Sequence, residues 1–161
     1  MGKAYLSLGS NVAPERNLAS AERALRERFG TLEVSPVYRT TAIGFDGPDF
    51  LNAAAVLDSD LDVHELNAWL HALEDAHGRD RNGPRFGDRT LDIDIVFFDG
   101  MVATGPGNLR IPRPELKHAF VLKPLVDIAP GYVDPLSGKT LEELWAQSPE
   151  REVPMRLVED F

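Results

Sequence analysis

The chain has 161 residues, 43% of them hydrophobic, with 26 Asp and Glu against 17 Lys and Arg and a formal net charge of -9. That length and apolar content predict one domain with a real core, and the acidity argues against a surface that coats nucleic acid. The absence of cysteine excludes disulfides, thiolate metal sites and cysteine nucleophiles, and fits a reducing cytosol. Residues 1–30 contain no long apolar run, so neither a signal peptide nor a membrane span is expected.

Residues Lys3–Gly9 alternate imperfectly and run into Gly-Ser-Asn, which predicts a strand and a tight turn. Pro14 suits the first turn of a helix, Leu18, Ala21, Leu25 and Phe29 recur at helical spacing, and Gly30 is a natural stop. Glu33–Thr40 reads as a second strand, with Pro36 marking an edge or bulge. A Gly- and Pro-containing loop, Thr41–Asp49, leads to a third strand, Phe50–Leu57.

Asp62 followed by Glu65 is a capping-box start, and Val63, Leu66, Leu70, Leu73 and His77 carry an apolar stripe to Gly78. A basic loop follows, then a strand from Leu91 to Phe98 that ends in a hairpin signal, Asp99-Gly100. Leu109–Ile111 suggests a short returning strand, Ala119–Ile128 a helix interrupted by Pro124, and Thr140 with Glu143 the cap of a last short helix. The tail 149–161 is polar and receives no assigned structure. The order predicts an α+β fold, a ferredoxin-like βαββαβ antiparallel sheet with helices and a C-terminal extension, in one domain over 1–161. Neither a dinucleotide-binding nor a Walker-type glycine loop is present.

The chemistry gathers at one place. In Arg89-Thr90-Leu91-Asp92-Ile93-Asp94-Ile95 two carboxylates stand two residues apart at the start of an apolar strand. Strand geometry puts Asp92 and Asp94 on one face and Leu91, Ile93 and Ile95 on the other. Like charges this close repel, so one of them tends to hold its proton. A divalent cation removes the conflict, and Mg²⁺ commonly takes one or two carboxylates plus substrate phosphates. The plain alternative is a solvated strand end. Residues 79–89 immediately before the pair hold four Arg against two Asp, a local basic exception in an acidic chain. Cationic clamps beside a metal-binding pair are what polyphosphate chemistry requires.

The run Gly78-Arg79-Asp80-Arg81 with Arg89-Thr90-Leu91-Asp92-Ile93-Asp94-Ile95 resembles the signature of the 6-hydroxymethyl-7,8-dihydropterin pyrophosphokinase family of folate biosynthesis. Tyr5–Asn11, Ser35–Thr40, Asp49–Ala53 and Ala119–Leu125 resemble the same family at matching places, so the likeness spans residues 4 to about 145.

The resemblance implies transfer of pyrophosphate from ATP to the hydroxymethyl group of a reduced pterin, with release of AMP. It implies two Mg²⁺ ions on Asp92 and Asp94, and catalysis by these acids with Arg79 and Arg89. Arg81, Phe86 and Glu74 are implied on the nucleotide side. For the pterin it implies Phe50 and Phe120 as aromatic walls, Asn52 as the reader of the polar edge, and Thr40, Thr41 and Ile43 beside them. Gly9 and Asn11 are expected to shape the end of the first strand. Small-molecule substrates, no nucleic acid, no membrane, a monomer and a cytoplasmic location follow from the same likeness. Core packing for each Phe, and an exposed helix charge for Glu74, are the bland alternatives.

The segment Ile111–Phe120 departs from the family. Arg113 stands where the family has His, the stretch is one residue shorter, and Lys117 or His118 falls near a missing Arg. Arg110, Arg113, Lys117 and His118 are therefore expected on ATP by substitution, with surface charge as the alternative. Two other activities are weighed against the first. A non-catalytic or altered-specificity pterin-binding paralogue would bind without forming AMP. A nucleotidyltransferase would need Gly9-Ser10 close to its acids, which here begin only at Asp92.

Overall fold

The computed structural model describes residues 1–41, 47–78 and 90–158. Its first strand, β1 (Gly2–Ser10), buries Ala4, Leu6 and Leu8 on one side. Period-two alternation turns Tyr5, Ser7 and Gly9 to the other side. Helix α1 (Pro14–Phe29) starts on Pro14, whose missing N–H costs nothing in a first turn. It buries Leu18, Ala21 and Leu25 and ends at Gly30 with φ of 86°.

The expected second strand is two strands, β2 (Leu32–Val34) and β3 (Val37–Thr40), broken at Ser35-Pro36. Pro36 has no N–H for a ladder, as anticipated. Both pieces pair with β4 (Phe50–Ser59), and Ser35 bridges the gap. Its N–H donates to the Ala54 carbonyl at 2.9 Å, and its Oγ accepts from the Ala54 N–H at 2.8 Å.

Helix α2 (Val63–Ala76) opens on the predicted capping box. The Glu65 N–H donates to Asp62 Oδ1 at 2.8 Å, and the Asp62 N–H donates back to Glu65 Oε1 at 3.1 Å. Strand β5 (Asp92–Phe98) follows. Asp99 does turn the chain, with φ of 55°, but the next strand does not fold back on β5. Instead β6 (Ala103–Gly105) and β7 (Leu109–Ile111) pair with each other in a separate two-stranded sheet. The Asp99-Gly100 signal is thus a turn between two sheets, and Leu109–Ile111 returns against β6.

A 3-10 turn (Pro114–Lys117) leads into α3 (Ala119–Ile128), which has the predicted bounds but runs through Pro124 without the expected interruption. Helix α4 (Leu141–Ala146) carries the second capping box, Thr140 with Glu143. The tail adds β8 (Arg156–Val158), which pairs with β3. The sequence reading left that segment without structure.

The main sheet runs β5-β1-β4-β3-β8, with β2 also on β4, and every pairing is antiparallel. One face packs Leu6, Leu51, Leu57, Ile93 and Ile95 against Leu25 of α1 and Leu66 and Leu70 of α2. Fully buried leucines of this kind cost about 2–5 kcal/mol each when cut to Ala. The opposite face packs Tyr5, Ala54, Val56, Val96 and Phe97 against Val121, Leu122 and Leu125 of α3 and Leu141 of α4. A register shift between Tyr5 and Leu6 lets Phe97 join Val96 on this face. Among the described residues no helix is long and apolar enough to cross a membrane.

Candidate active site

The residues of the second sheet face that pack with α3 and α4 give way to polar ones at the end where β1 finishes and β4 and β5 begin. Register places the residues there. Gly9 stands between Asp92 on β5 and Asn52 on β4, and Asn52 in turn faces Tyr38 on β3. Two residues along β4 on one side of that row, Ser7 stands between Asp94 and Ala54; two residues along on the other side, Thr40 faces Phe50. Directly paired residues share a face, so the two aspartates, Asn52, Phe50 and Thr40 all project from the same side. Asp92 and Asn52 are two strand spacings apart, roughly 10 Å.

Loops brace this end from behind. Ser10 Oγ donates to the Thr90 carbonyl at 2.6 Å, just before β5. Asn11 is buried, and its Nδ2 donates to the Pro48 carbonyl at 3.2 Å, just before β4. Asn11 therefore does more than shape its own turn: it helps hold the entry to Phe50.

The acid pair sits on an edge strand. Burial, together with the Asp92 charge, pushes the Asp94 carboxyl well above its ordinary value; Glu74 and Glu115 add to the push, and Arg113 opposes it. Arg113 Nη2 lies 3.4 Å from Asp94 Oδ1, and its Nε lies 3.4 Å from Glu115 Oε2. Arg113 thus sets its charge on Asp94. The open edge of β5 is also covered. The Ile93 N–H, between the two aspartates, donates to Glu74 Oε2 at 2.8 Å, and the Arg113 N–H donates to the Val96 carbonyl at 3.2 Å. Glu74 is only 2% exposed, so it is not a solvated helix charge; it ties α2 to the strand between the aspartates.

A cleft of about 880 Å³ is lined by Arg113, Arg110 and Lys117 together with Thr104, Gln147 and Glu150, and Thr104 is the cross-strand partner of Arg110. Three of the cations expected on ATP are therefore neighbours. His118, the fourth, is engaged elsewhere. Its ring stacks on Phe120 at 5.2 Å between centroids and 11° between planes, and its Nδ1 lies 3.0 Å from Glu150 Oε2.

On the other side of the row, Asn52 is 4% exposed and its Nδ2 donates to Thr40 Oγ1 at 2.7 Å. A Cβ on Gly9 would come within 3.0 Å of Asn52 Oδ1 and 3.9 Å of the Phe50 ring. Glycine at this position leaves a shallow cradle over the amide. Phe50 and Phe120 are both half-buried, and Thr41 is exposed. Ile43, Arg79, Arg81, Phe86 and Arg89 lie outside the described residues. Among the described residues no group of three or more His, Asp or Glu side chains is arranged to hold a metal ion.

Comparison with known proteins gives these residues their setting. Residues 5–130 match the sequence profile of 7,8-dihydro-6-hydroxymethylpterin-pyrophosphokinase (HPPK). A 2-amino-4-hydroxy-6-hydroxymethyldihydropteridine pyrophosphokinase of Synechocystis is 40% identical over 148 residues, 89% of this chain and 75% of that protein. Its counterpart in Pseudomonas aeruginosa is 38% identical over 152 residues, covering 91% and 92%. The fold is shared with the crystal structure of Plasmodium falciparum HPPK-DHPS with SDX-DHP, at a TM-score of 0.70 and 15% identity. The chain is 94% covered there but spans only 44% of that longer protein.

An α+β domain with these relatives is a transferase of phosphorus-containing groups, and its class is that of the ATP-dependent pyrophosphokinases. The chain belongs to the 7,8-dihydro-6-hydroxymethylpterin-pyrophosphokinase family.

Proposed function

We propose that the end of the sheet that carries Asp92 and Asn52 performs the family's reaction, with the pterin and the triphosphate laid along one cross-strand row. The chain transfers pyrophosphate from ATP to the hydroxymethyl group of 6-hydroxymethyl-7,8-dihydropterin, a step of folate biosynthesis. In that reaction the hydroxymethyl oxygen bonds to the β-phosphorus of ATP. The bond from that phosphorus to the oxygen shared with the α-phosphate breaks, AMP leaves with the electron pair, and the hydroxyl proton is released. The observation that carries the reading is the register Asp92–Gly9–Asn52. It sets a carboxylate pair and a buried amide about two strand spacings apart on one face, the separation needed to present a phosphate chain to an alcohol on a flat ring.

The donor set fits Mg²⁺. Two carboxylates share one strand face, and Asp94 is pushed above its ordinary value by burial and by the Asp92 charge; Mg²⁺ commonly takes one or two such carboxylates together with phosphate oxygens. Bound there, two Mg²⁺ ions would supply positive charge to the transferred group and lower the pKa of the attacking hydroxyl. Asp92 and Asp94 hold that charge in place. Arg113 contributes a fixed cation at Asp94, while Arg110 and Lys117 offer phosphate contacts from the cleft. Arg79 and Arg89 are proposed as clamps on the same phosphates, with Arg81 and Phe86 on the nucleotide.

Asn52 reads the pterin edge, because an amide offers both a donor and an acceptor and Thr40 already fixes its orientation. Phe50 and Phe120 supply apolar faces for the ring. Thr41 and Ile43 add edge contacts through their backbone groups.

We read the sheet itself as ferredoxin-like. With β2 and β3 taken as one strand broken at Pro36, the order β5-β1-β4-β3 is the fourth, first, third and second strand of βαββαβ. The chain is proposed to act as one domain over 1–161, as a monomer in the cytoplasm. The test is turnover: protein with ATP, Mg²⁺ and the reduced hydroxymethylpterin is expected to release AMP in step with pterin diphosphate. Release of ADP, or of inorganic pyrophosphate, would refute the reading.

A further inference from the structure

The tail beyond the family match, which ends at residue 130, crosses from one wall of the proposed pterin site to another. It leaves α4, turns through Ser148 and Glu150, and finishes as β8 on the outer edge of β3. Glu150 spends both carboxylate oxygens on the start of α3. Oε1 accepts from the Ala119 N–H at 3.1 Å, and Oε2 lies 3.0 Å from His118 Nδ1. A carboxylate belongs at a helix N-terminus, where amide hydrogens lack partners. That alone would be ordinary capping. The unusual part is what His118 does next: its ring lies flat on Phe120, 11° from parallel.

We propose that Glu150 is a positioning residue of the pterin site: by holding His118, it fixes the plane of Phe120 and reserves the other face of that ring for the pterin. This rests on the reading of Phe120 as a pterin wall. The far end of the tail supports the same wall system. Strand β8 pairs Leu157 with Tyr38 and Arg156 with Arg39, one residue from Thr40. Tyr38 in turn donates through its hydroxyl to Asp127 Oδ2 on α3 at 2.5 Å. Two connections, one by the tail and one direct, therefore join the strand that orients Asn52 to the helix that carries Phe120.

The physical effect is preorganisation. Phe120 is half-buried in the first turn of α3 and packs against the second core cluster; the stacked, anchored imidazole removes the side-chain freedom that this packing leaves and that a ligand would otherwise have to freeze. Releasing it is expected to weaken pterin binding about fivefold, the size of one immobilised side chain.

The experiment measures KM for the pterin, KM for ATP and the thermal midpoint in Glu150→Ala, His118→Ala, Phe120→Ala and the Glu150→Ala/Phe120→Ala double variant. Glu150→Ala is expected to raise pterin KM about fivefold, with ATP KM moving far less. In the Phe120→Ala background it is expected to add nothing. Should Glu150→Ala fold too poorly to assay, His118→Ala, which leaves the carboxylate cap on Ala119, must still raise pterin KM. If Phe120→Ala weakens pterin binding and neither Glu150→Ala nor His118→Ala does, the positioning role is overturned and the wall survives. If Phe120→Ala itself leaves pterin KM unchanged, the wall reading falls and takes the inference with it. An equal penalty from Glu150→Ala with and without Phe120 would mark a general folding defect and would also overturn the proposal.

Discussion

The two ends of the row Asp92–Gly9–Asn52 are built on opposite principles. At the Asn52 end the polar groups are satisfied before any ligand arrives: Asn52 donates to Thr40, Asn11 to Pro48, and His118 is held by Glu150. At the Asp92 end they are in conflict. Asp94 is burdened by burial, by Asp92, and by Glu74 and Glu115, with Arg113 as the opposing charge. A site for a flat, neutral heterocycle gains from preorganised amides and rings, since nothing about the ligand has to neutralise them. A site for a polyphosphate with cations gains from acids whose mutual repulsion a bound cation relieves. The comparison predicts that substitutions at the two ends differ in kind: those at the acid end abolish turnover while relieving the fold, and those at the amide end weaken one substrate and burden the fold.

The largest effect is expected at Asp94. Asp94→Ala should lower kcat/KM by about 10³-fold, because it removes charge stabilisation made in the transition state. At neutral pH the same variant, measured without divalent cations, should melt no lower than the parent protein. Loss of activity together with a large loss of stability would show Asp94 to be structural and would erase the contrast.

A pH titration of stability sharpens the point. The folded-state pKa of Asp94 is raised above its ordinary value of 3.8. Between 3.8 and the raised value the folded chain keeps a proton that the unfolded chain has lost, so folding is destabilised progressively as pH rises through that window. The exposed Asp60, Asp62 and Glu143, whose pKa values are lowered by their hydrogen bonds, give the opposite slope, losing stability as pH falls. The difference between the parent and Asp94→Asn isolates the first contribution. In the metal-free protein the parent should lose stability relative to the variant as pH rises, and saturating Mg²⁺ should remove that difference. A difference of the opposite sign would mean that Asp94 is already neutralised by Arg113.

Asn52→Ala is expected to come next, raising pterin KM about tenfold or more, because a site built to hydrogen-bond its ligand is left with unpaired groups. It should also lower the melting temperature, since Thr40 Oγ1 is buried with it. A variant that lost ATP affinity instead would place Asn52 with the nucleotide.

Much of this contrast was legible in the sequence, for a simple reason. Asp92 and Asp94 are two apart in an otherwise apolar strand, so geometry alone fixes their common face. Asn52 interrupts an apolar run and had to find a partner. Capping boxes at Asp62 and Thr140, and the break at Pro36, are local signals with local causes. What was not legible depends on partners distant in the chain. Strand β8 is three residues in a polar tail and becomes a strand only because β3 offers an unpaired edge. Glu150 has no local pattern that announces a bond to Ala119 and His118. Phe97 changes face through a register shift that periodicity cannot foresee. The Asp99-Gly100 turn looked like a hairpin because its dihedral preference is local, whereas the choice of β7 as partner for β6 is not. For Glu74 the sequence offered a nucleotide-side acid by resemblance or an exposed helix charge; its burial, which rules out the second, became visible only with the Ile93 N–H of β5 in place.

The smallest effect tests the finest detail of the comparison. Gly9 lies at the midpoint of the row, and a methyl group there would stand 3.0 Å from Asn52 Oδ1. Its φ is not in the left-handed region, so Gly9→Ala carries no backbone strain of that kind and the question is one of space alone. Asn52 is held by a 2.7 Å bond to Thr40, so it cannot swing aside without giving up that partner. Gly9→Ala should therefore raise pterin KM about threefold, leave ATP KM in place, and shift the melting point little, since displacing one amide by a few tenths of an ångström costs less than about 1 kcal/mol. In an Asn52→Ala background the methyl meets no obstacle and the penalty should disappear. If it persists there, or falls on ATP, then Gly9 serves the phosphate end, and the boundary between the two ends must be drawn on the Asn52 side of β1.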